Sequence, residues 1–397
     1  MPVSKYIVAT IGATTLFATT SIANAQDFNV TWKGAPEISS ADGNFSIKLR
    51  GRLFTDWGTV SDNAGKAVDA TEFRAARLGV EGVVMKDVEY KFEVDFAGNE
   101  VNITDATMEL ALEPVSIVAG QFKTPTSLEE QTSSRFTTFL ERGSFTDAFS
   151  FSRQIGIAAN YDQNNVTFKA GVFQGNANGG GGTIQGRTYA ARATFAPQIG
   201  NGNNDGFIHI GASAFHREND DGDLTIRYRQ RPHHHLAGRY VDTANFPSDS
   251  DTFFGVELAG VMGPLSAQAE WGWMSANGIN GAMDAKFNGG YIDISYILTG
   301  ESRGYKGGAF DRIKVNNPVF GGGSGAFQIA ARYDVIDLTD TSVGVIGGKQ
   351  TSYIVGLNWL LNNYSRVMAN YSRSDVEGGS NDGENIDTFG LRFQVDW

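Results

Sequence analysis

The sequence predicts an all-β fold, a 16-stranded antiparallel transmembrane β-barrel with an inward-folded constriction loop, and three observations predict it. Apolar and polar residues alternate with period two through one segment after another, the pattern of strands that separate two different surroundings. Beyond residue 25 no apolar run approaches the ~18 residues that a spanning helix needs, so membrane hydrophobicity would have to lie in the alternation. Glycine (49) and aromatic residues (27 Phe, 13 Tyr, 6 Trp) are plentiful while proline (9) is scarce, which suits many strands bounded by aromatic girdles.

Residues 1–25 read as a secretory signal peptide. Lys5 gives the positive start, Tyr6 to Phe17 the apolar stretch, and Ala23-Asn24-Ala25 the small-residue cleavage site. Cysteine is absent, so an exported chain has neither disulfides nor thiolate chemistry available. The formal charge of −12, one unit more negative once Lys5 leaves with the signal, argues against nucleic acid, which demands a basic face. A pore lining can still differ in sign from the whole chain.

Residues 26–44 form a short polar lead-in on the periplasmic side, without periodicity. From Phe45 the barrel begins, and the alternation becomes strict. Phe45, Ile47, Leu49, Gly51, Leu53 and Trp57 share one face, and Ser46, Lys48, Arg50, Arg52 and Asp56 share the other. Ala76, Leu78, Val80, Gly82 and Val84 then oppose Arg77 and Glu81, and after a Lys86-Asp87 turn Val88, Tyr90, Phe92, Val94 and Phe96 oppose Glu89, Lys91, Glu93 and Asp95. Further strands are predicted at 102–112, 115–123, 153–162, 165–174, 187–196, 206–217, 224–231, 252–262, 265–275, 287–298, 325–337, 350–361, 364–375 and 386–397. That makes seventeen, and a barrel with both termini on one side needs an even number. The segment at 224–231 is the shortest and is followed by Pro232, three histidines and a polar run, so 218–251 is assigned to one long external insertion. Parity then puts the tight turns Glu113-Pro114, Gly263-Pro264 and Asn362-Asn363 on the periplasmic side, and the loops 58–70, 276–286 and 376–385 outside. The long connection 299–324 falls on the periplasmic side, against the rule that those turns are short.

One stretch interrupts the wall. Residues 120–153 are too polar for a buried helix and too long for an idle connection, and Lys123, Arg135, Arg142 and Arg153 stand there among hydroxyls and phenylalanines. The expectation is a constriction loop over about 124–152, folded into the barrel. Lys48, Arg50 and Arg52 on one face of the first strand, and Arg227, Arg229 and Arg231 in the insertion, repeat a two-residue spacing of ~7 Å. Guanidinium forks match the oxygens of phosphate, and a row of weak sites lets an ion enter and leave. The competing reading pairs these arginines with inward Glu89, Glu93, Asp95, Asp105 and Glu109.

Other constellations are weaker. His233, His234 and His235 are consecutive, so they share no strand face, and they read as solvated loop residues; no metal site and no cofactor is expected. Asn219 to Asp223 lacks the terminal Glu of a calcium loop, and the glycine runs 179–182 and 321–323 lack the Lys-Ser/Thr of a phosphate cradle. His209 and His216 near Ser213 would be the centre of a barrel-borne hydrolase, an alternative in which an orienting acid is missing. The last strand carries Phe389, Leu391, Phe393, Val395 and Trp397 on one face and ends on an aromatic, the form that the outer-membrane assembly machinery reads.

The chain resembles the phosphate-selective porin O and P family. The matching stretches are Phe73 to Gly82 (FRAARLGVEG), Gly120 to Pro125 (GQFKTP) with Ser127 to Glu130 (SLEE), Leu298 to Tyr305 (LTGESRGY), and Gly325 to Phe327 through Ala330 to Tyr333. The resemblance implies a sixteen-stranded outer-membrane barrel, usually a homotrimer set in lipid and lipopolysaccharide, with a basic ladder that leads phosphate or polyphosphate. It also implies Arg74, Lys123, Arg135 and Arg142 as constriction residues; Ala75 stands where the family often has a second arginine. The expected function is passive diffusion of small anions past Lys48, Arg50, Arg52, Arg74, Arg77, Lys123, Arg135 and Arg142. A general-diffusion porin with little ion preference is the alternative within the class.

Overall fold

In a computed structural model, the structure describes residues 28–32, 34–178, 186–200, 206–219 and 224–397. The predicted signal peptide, the glycine run 179–182 and the acidic tip at 220–223 lie outside the described residues. Sixteen consecutive strands pair antiparallel, each with the next. They are β1 (Phe45–Asp62), β2 (Gly65–Val84), β3 (Val88–Asp95), β4 (Asn102–Leu112), β5 (Val115–Lys123), β6 (Arg153–Gln163), β7 (Val166–Gln174) and β8 (Arg187–Phe195). β9 (Gly206–Glu218), β10 (Ser250–Met262), β11 (Leu265–Asn277), β12 (Ala285–Ile297), β13 (Ala326–Asp340), β14 (Val345–Asn362), β15 (Ser365–Glu377) and β16 (Asn385–Asp396) complete the wall. Asp387 opposite Ser61 through Asp396 opposite Arg52 close β16 onto β1. Closure removes the free edge on which an open sheet would pair with other chains.

The alternation decides which way each side chain points. Leu53, Leu78, Phe92, Ile157, Leu258 and Phe393 are exposed on the outer face, while Arg50, Arg52, Asp56, Glu93 and Arg392 are buried on the inner one. Two irregularities shape the inner wall. Phe54 and Thr55 pair with Ala75 and Phe73, which leaves Arg74 as the extra residue of a bulge. Glu93 and Val94 pair with Asp105 and Ile103, which leaves Thr104 unpaired in the same way. A bulge re-aims its side chains, and these two sit beside the chamber described below.

Three connections fill much of the lumen. Residues 124–152 fold inward with two short helices, α1 (Leu128–Gln131) and α2 (Ser144–Ala148). The backbone N–H groups of Leu128 and Glu129 donate to Glu270 on β11 at 2.8 Å each, Ser144 N–H to Asp334 on β13 at 3.0 Å, and Leu140 N–H to Asn370 on β15 at 2.7 Å. The loop is thereby pinned against β11–β15, and Phe145 and Phe149 pack into an aromatic core inside the barrel with Phe253 and Tyr291.

The segment at 224–231 is no barrel strand. Thr225–Ile226 pairs with Phe246–Pro247 and Arg229–Gln230 with Val241–Asp242, a nested ribbon whose Tyr228, Val241 and Phe246 join the same core, so the insertion folds into the lumen. The histidines predicted to be solvated are not all so. His233 and His234 are buried, His233 beside Ser144 (3.2 Å) and Asp334 (3.4 Å), because the insertion is wedged between α2 and the wall. From the other rim, 299–324 also turns inward. Its hairpin of Gly304–Lys306 and Ala309–Asp311 reaches the constriction loop, where Phe310 N–H donates to Thr132 at 3.2 Å. This connection is long because it forms a floor rather than a turn.

Two further expectations are corrected. The lead-in is not featureless: Phe28–Trp32 pairs with Pro36–Ser40, which pairs with β1 through Glu37 and Lys48, because the run FNVTW alternates too. The predicted loop over 58–70 is wall, since β1 and β2 run on to a turn at Asn63 and Ala64.

Candidate functional site

The constriction loop divides the lumen, and on the side of β1–β7 it leaves a chamber of about 400 Å3. Eleven cationic side chains line it among the described residues: Arg50, Arg52, Arg74, Arg77, Lys91, Lys123, Arg135, Arg142, Arg153, Lys169 and Arg392. The lining carboxylates are Asp105, Glu109 and Glu141. The other counter-charges stand behind the cations. Glu93, fully buried, takes Arg50 and Arg52 at 3.1 Å and Arg77 at 3.2 Å. Asp56 takes Arg392 through two bonds of 2.7 and 2.6 Å, and Glu130 takes Lys123 and Arg142 at 3.3 Å each. Arg135 lies 3.6 Å from Asp396 and hydrogen-bonds Ser133. The inward carboxylates therefore do pair with the arginines in part, through Glu93, Asp95 and Asp105, while Glu89 and Glu109 oppose each other on β3 and β4.

Backing of this kind has a chemical consequence. A guanidinium carries five N–H donors, so one edge can hold a carboxylate in the wall while another remains free for a solute. Low-dielectric walls then concentrate the field of the outward-facing cations in the water between them. Arg74 shows the geometry at the loop: it forks onto Glu141 with two bonds of 3.0 Å. Burial alone would raise the Glu141 carboxyl, but the charge and hydrogen bonds of Arg74, with Arg392 behind, outweigh it and hold the group well below the usual carboxylate range.

Toward the rim opposite the termini the chamber continues. Arg74, Glu141 and Arg142 also border a hollow of about 380 Å3 that adds Arg231, Arg239 and the three histidines. Asp147, Phe151 and Arg239 link this to an outermost hollow of about 360 Å3 lined by Arg227 and Arg229. The insertion arginines thus flank one route, but not as a same-face ladder on a strand. Arg227 is held by Asp242 at 2.8 Å, and Arg231 donates to the Ala237 carbonyl at 3.0 Å. Lys48 lies outside the chamber lining, 4.0 Å from Glu81. Lys169 and Arg392 were not singled out from the sequence, although the alternation of their strands, with Phe168 and Phe393 facing outward, gave their direction.

The histidines weighed for hydrolysis are otherwise engaged. His209 lies between Glu257 (3.0 Å) and the Tyr305 hydroxyl (2.6 Å), while the Ser213 hydroxyl accepts the Ser127 N–H. His216 bonds Thr252 at 2.9 Å. No group of three or more His, Cys, Asp or Glu that could hold a metal ion occurs among the described residues.

A family model described as phosphate-selective porin O and P matches residues 47–397. The chain is 34% identical over 389 residues to a protein of Caulobacter vibrioides, an alignment covering 93% of this chain and 77% of that one. It is 29% identical over 426 residues to porin O of Pseudomonas aeruginosa, covering 95% and 94%. Among solved structures it is similar to an anion-selective porin from Comamonas acidovorans (TM-score 0.59, 12% identity, 89% of this chain and 100% of that one). The outer-membrane protein OmpT of Vibrio cholerae is similar to the same degree (TM-score 0.57, 12% identity, 89% and 98%).

Proposed function

From a chain that belongs to the phosphate-selective porin O and P family, we propose a passive channel for small anions of the phosphate class, running from the Arg227–Arg229 hollow past Arg74 and Arg142 into the basic chamber. Family and barrel make it an outer-membrane protein of a Gram-negative cell, and we read the termini and the 299–324 connection as periplasmic because short turns there are the expected asymmetry of such barrels. One observation carries the reading: among the described residues eleven cations line the chamber against three carboxylates, while Glu93 and Asp56 are buried behind it and Glu130 borders the next hollow. A solute meets a sequence of forks that neutralise it without covalent chemistry, each weak because each fork is already half occupied. Glu257 and Tyr305 bracket His209, which supports a structural role for that histidine rather than a hydrolytic one. We also read the protein as a homotrimer. The related OmpT fold has been described in a trimer form, and this barrel carries exposed apolar side chains on its outer wall.

The deciding experiment is single-channel current in a planar bilayer under a KCl gradient, followed by phosphate titrated into chloride. The expected result is a reversal potential on the anion side and a chloride current that phosphate blocks. Lys123→Ala, which frees the Glu130 carboxylate from one of its two cations, should weaken the block. A cation-side potential without block would overturn the proposal and leave a barrel whose carboxylates govern permeation.

A further inference from the structure

On the far side of the constriction loop a second hollow of about 20 Å3 gathers four guanidinium groups, with Arg135 from the loop, Arg303 and Arg312 from the periplasmic connection and Arg366 from β15. Two carboxylates, Asp311 and Asp396, also border it, so positive charge is in excess. Asp396 is already engaged: Arg312 bonds both its oxygens and Arg135 lies 3.6 Å away. Arg303 and Arg366, both buried, donate to neutral oxygens instead. Arg303 bonds Gln268 at 2.9 Å and the Phe136 carbonyl at 3.4 Å, and its guanidinium carbon lies 3.5 Å from the centre of the Phe310 ring. Arg366 bonds Gln394 at 2.9 Å and the carbonyls of Thr137 and Ser134 at 2.8 and 3.4 Å. Asp293 and Glu129, which also act on Arg303, are held by Arg332 at 2.6 and 2.5 Å. Burial draws Arg303 down to about 10, so it keeps its charge at neutral pH. Buried cations without a carboxylate are costly, and the cost falls if an anion enters.

We propose that this hollow binds one monatomic anion, a halide such as chloride, between Arg303 and Arg366. Size sets the class. A water needs roughly 10–15 Å3 of space, so a hollow of about 20 Å3 favours a single small ion over a larger anion. The anion joins three elements that otherwise meet with like charges: the loop, the periplasmic connection and β15. It is a structural ion, apart from the conducting chamber except that Arg135 borders both, and it does not depend on what the chamber conducts.

Crystals of the detergent-purified porin grown in bromide test this by anomalous scattering. A bromide peak between Arg303 and Arg366, absent in Arg303→Gln, is expected. A map with bromide elsewhere and nothing at this position would overturn the proposal, as would phosphate occupying it. In parallel, the thermal unfolding midpoint in chloride should exceed that in gluconate at equal ionic strength by a few degrees, and Arg366→Gln should abolish the difference. Should Arg366→Gln fail to assemble, the wild-type comparison still decides: equal midpoints in the two salts sink the idea.

Discussion

Glu93 and Asp56 show how single residues let a barrel keep a basic interior. Each is a carboxylate with almost no exposure held by buried or half-buried guanidinium groups, Glu93 by those of Arg50, Arg52 and Arg77 and Asp56 by that of Arg392. Removing one member of such a buried pair is worse than removing both, because the survivor stays charged and unpaired. Arg392 and Asp56 are the cleanest case, with two bonds of 2.7 and 2.6 Å between β16 and β1, at the seam where the barrel closes. Arg392→Met should therefore cost about 3–5 kcal/mol, and the double variant with Asp56→Asn should recover much of it. Urea unfolding of the purified barrel measures both. A double variant no better than the single one would mean that contacts outside the pair, such as that of the Arg392 guanidinium carbon 5.2 Å from the centre of the Phe54 ring, matter more than the bond to Asp56.

At the scale of elements, the constriction loop is a strut held at both ends. Its Leu128, Glu129, Leu140 and Ser144 N–H groups bind the β11–β15 wall, and Glu141 binds Arg74 on the opposite wall. The Arg74 contact depends on an ionised Glu141, whose folded-state pKa lies below the ordinary glutamate value of about 4.3. A depressed carboxylate contributes its full stabilisation above that ordinary value and loses it only as pH falls through the lower, folded one. The loop should thus stay docked from pH 8 down to pH 4, and channel conductance should change little across that window. A conductance step between pH 6 and pH 4, abolished by Glu141→Gln, would assign the contact to a different protonation state. The strands were legible in the sequence because a wall between lipid and water must alternate, and parity removed the seventeenth candidate at 224–231. What the sequence hid is which connections turn inward. Tyr228, Val241 and Phe246 are spaced through a polar insertion with no period, and only the shared aromatic core under α2 makes them one surface. Likewise Arg74 belongs to no alternating face, because a bulge sets its direction.

Taken whole, the molecule carries a formal charge of −12 and still presents eleven cations to its chamber. The two facts are compatible because a permeating ion responds to nearby charge. A chamber of about 400 Å3 is no wider than the ~10 Å screening length at 0.1 M salt, but wider than the ~3 Å length at 1 M. At low salt an ion at the centre feels all of the lining cations together. At high salt it feels only those it touches. The anion-to-cation permeability ratio should therefore be well above one in 0.1 M KCl and fall several-fold toward one in 1 M KCl. Reversal potentials under a fixed twofold gradient, centred on each concentration, would measure it. A ratio that stays constant would place the selectivity in direct contacts such as the Arg74 and Arg142 forks. A ratio below one at low salt would mean that the carboxylates behind the lining, Glu93 among them, reach past the arginines to set the field.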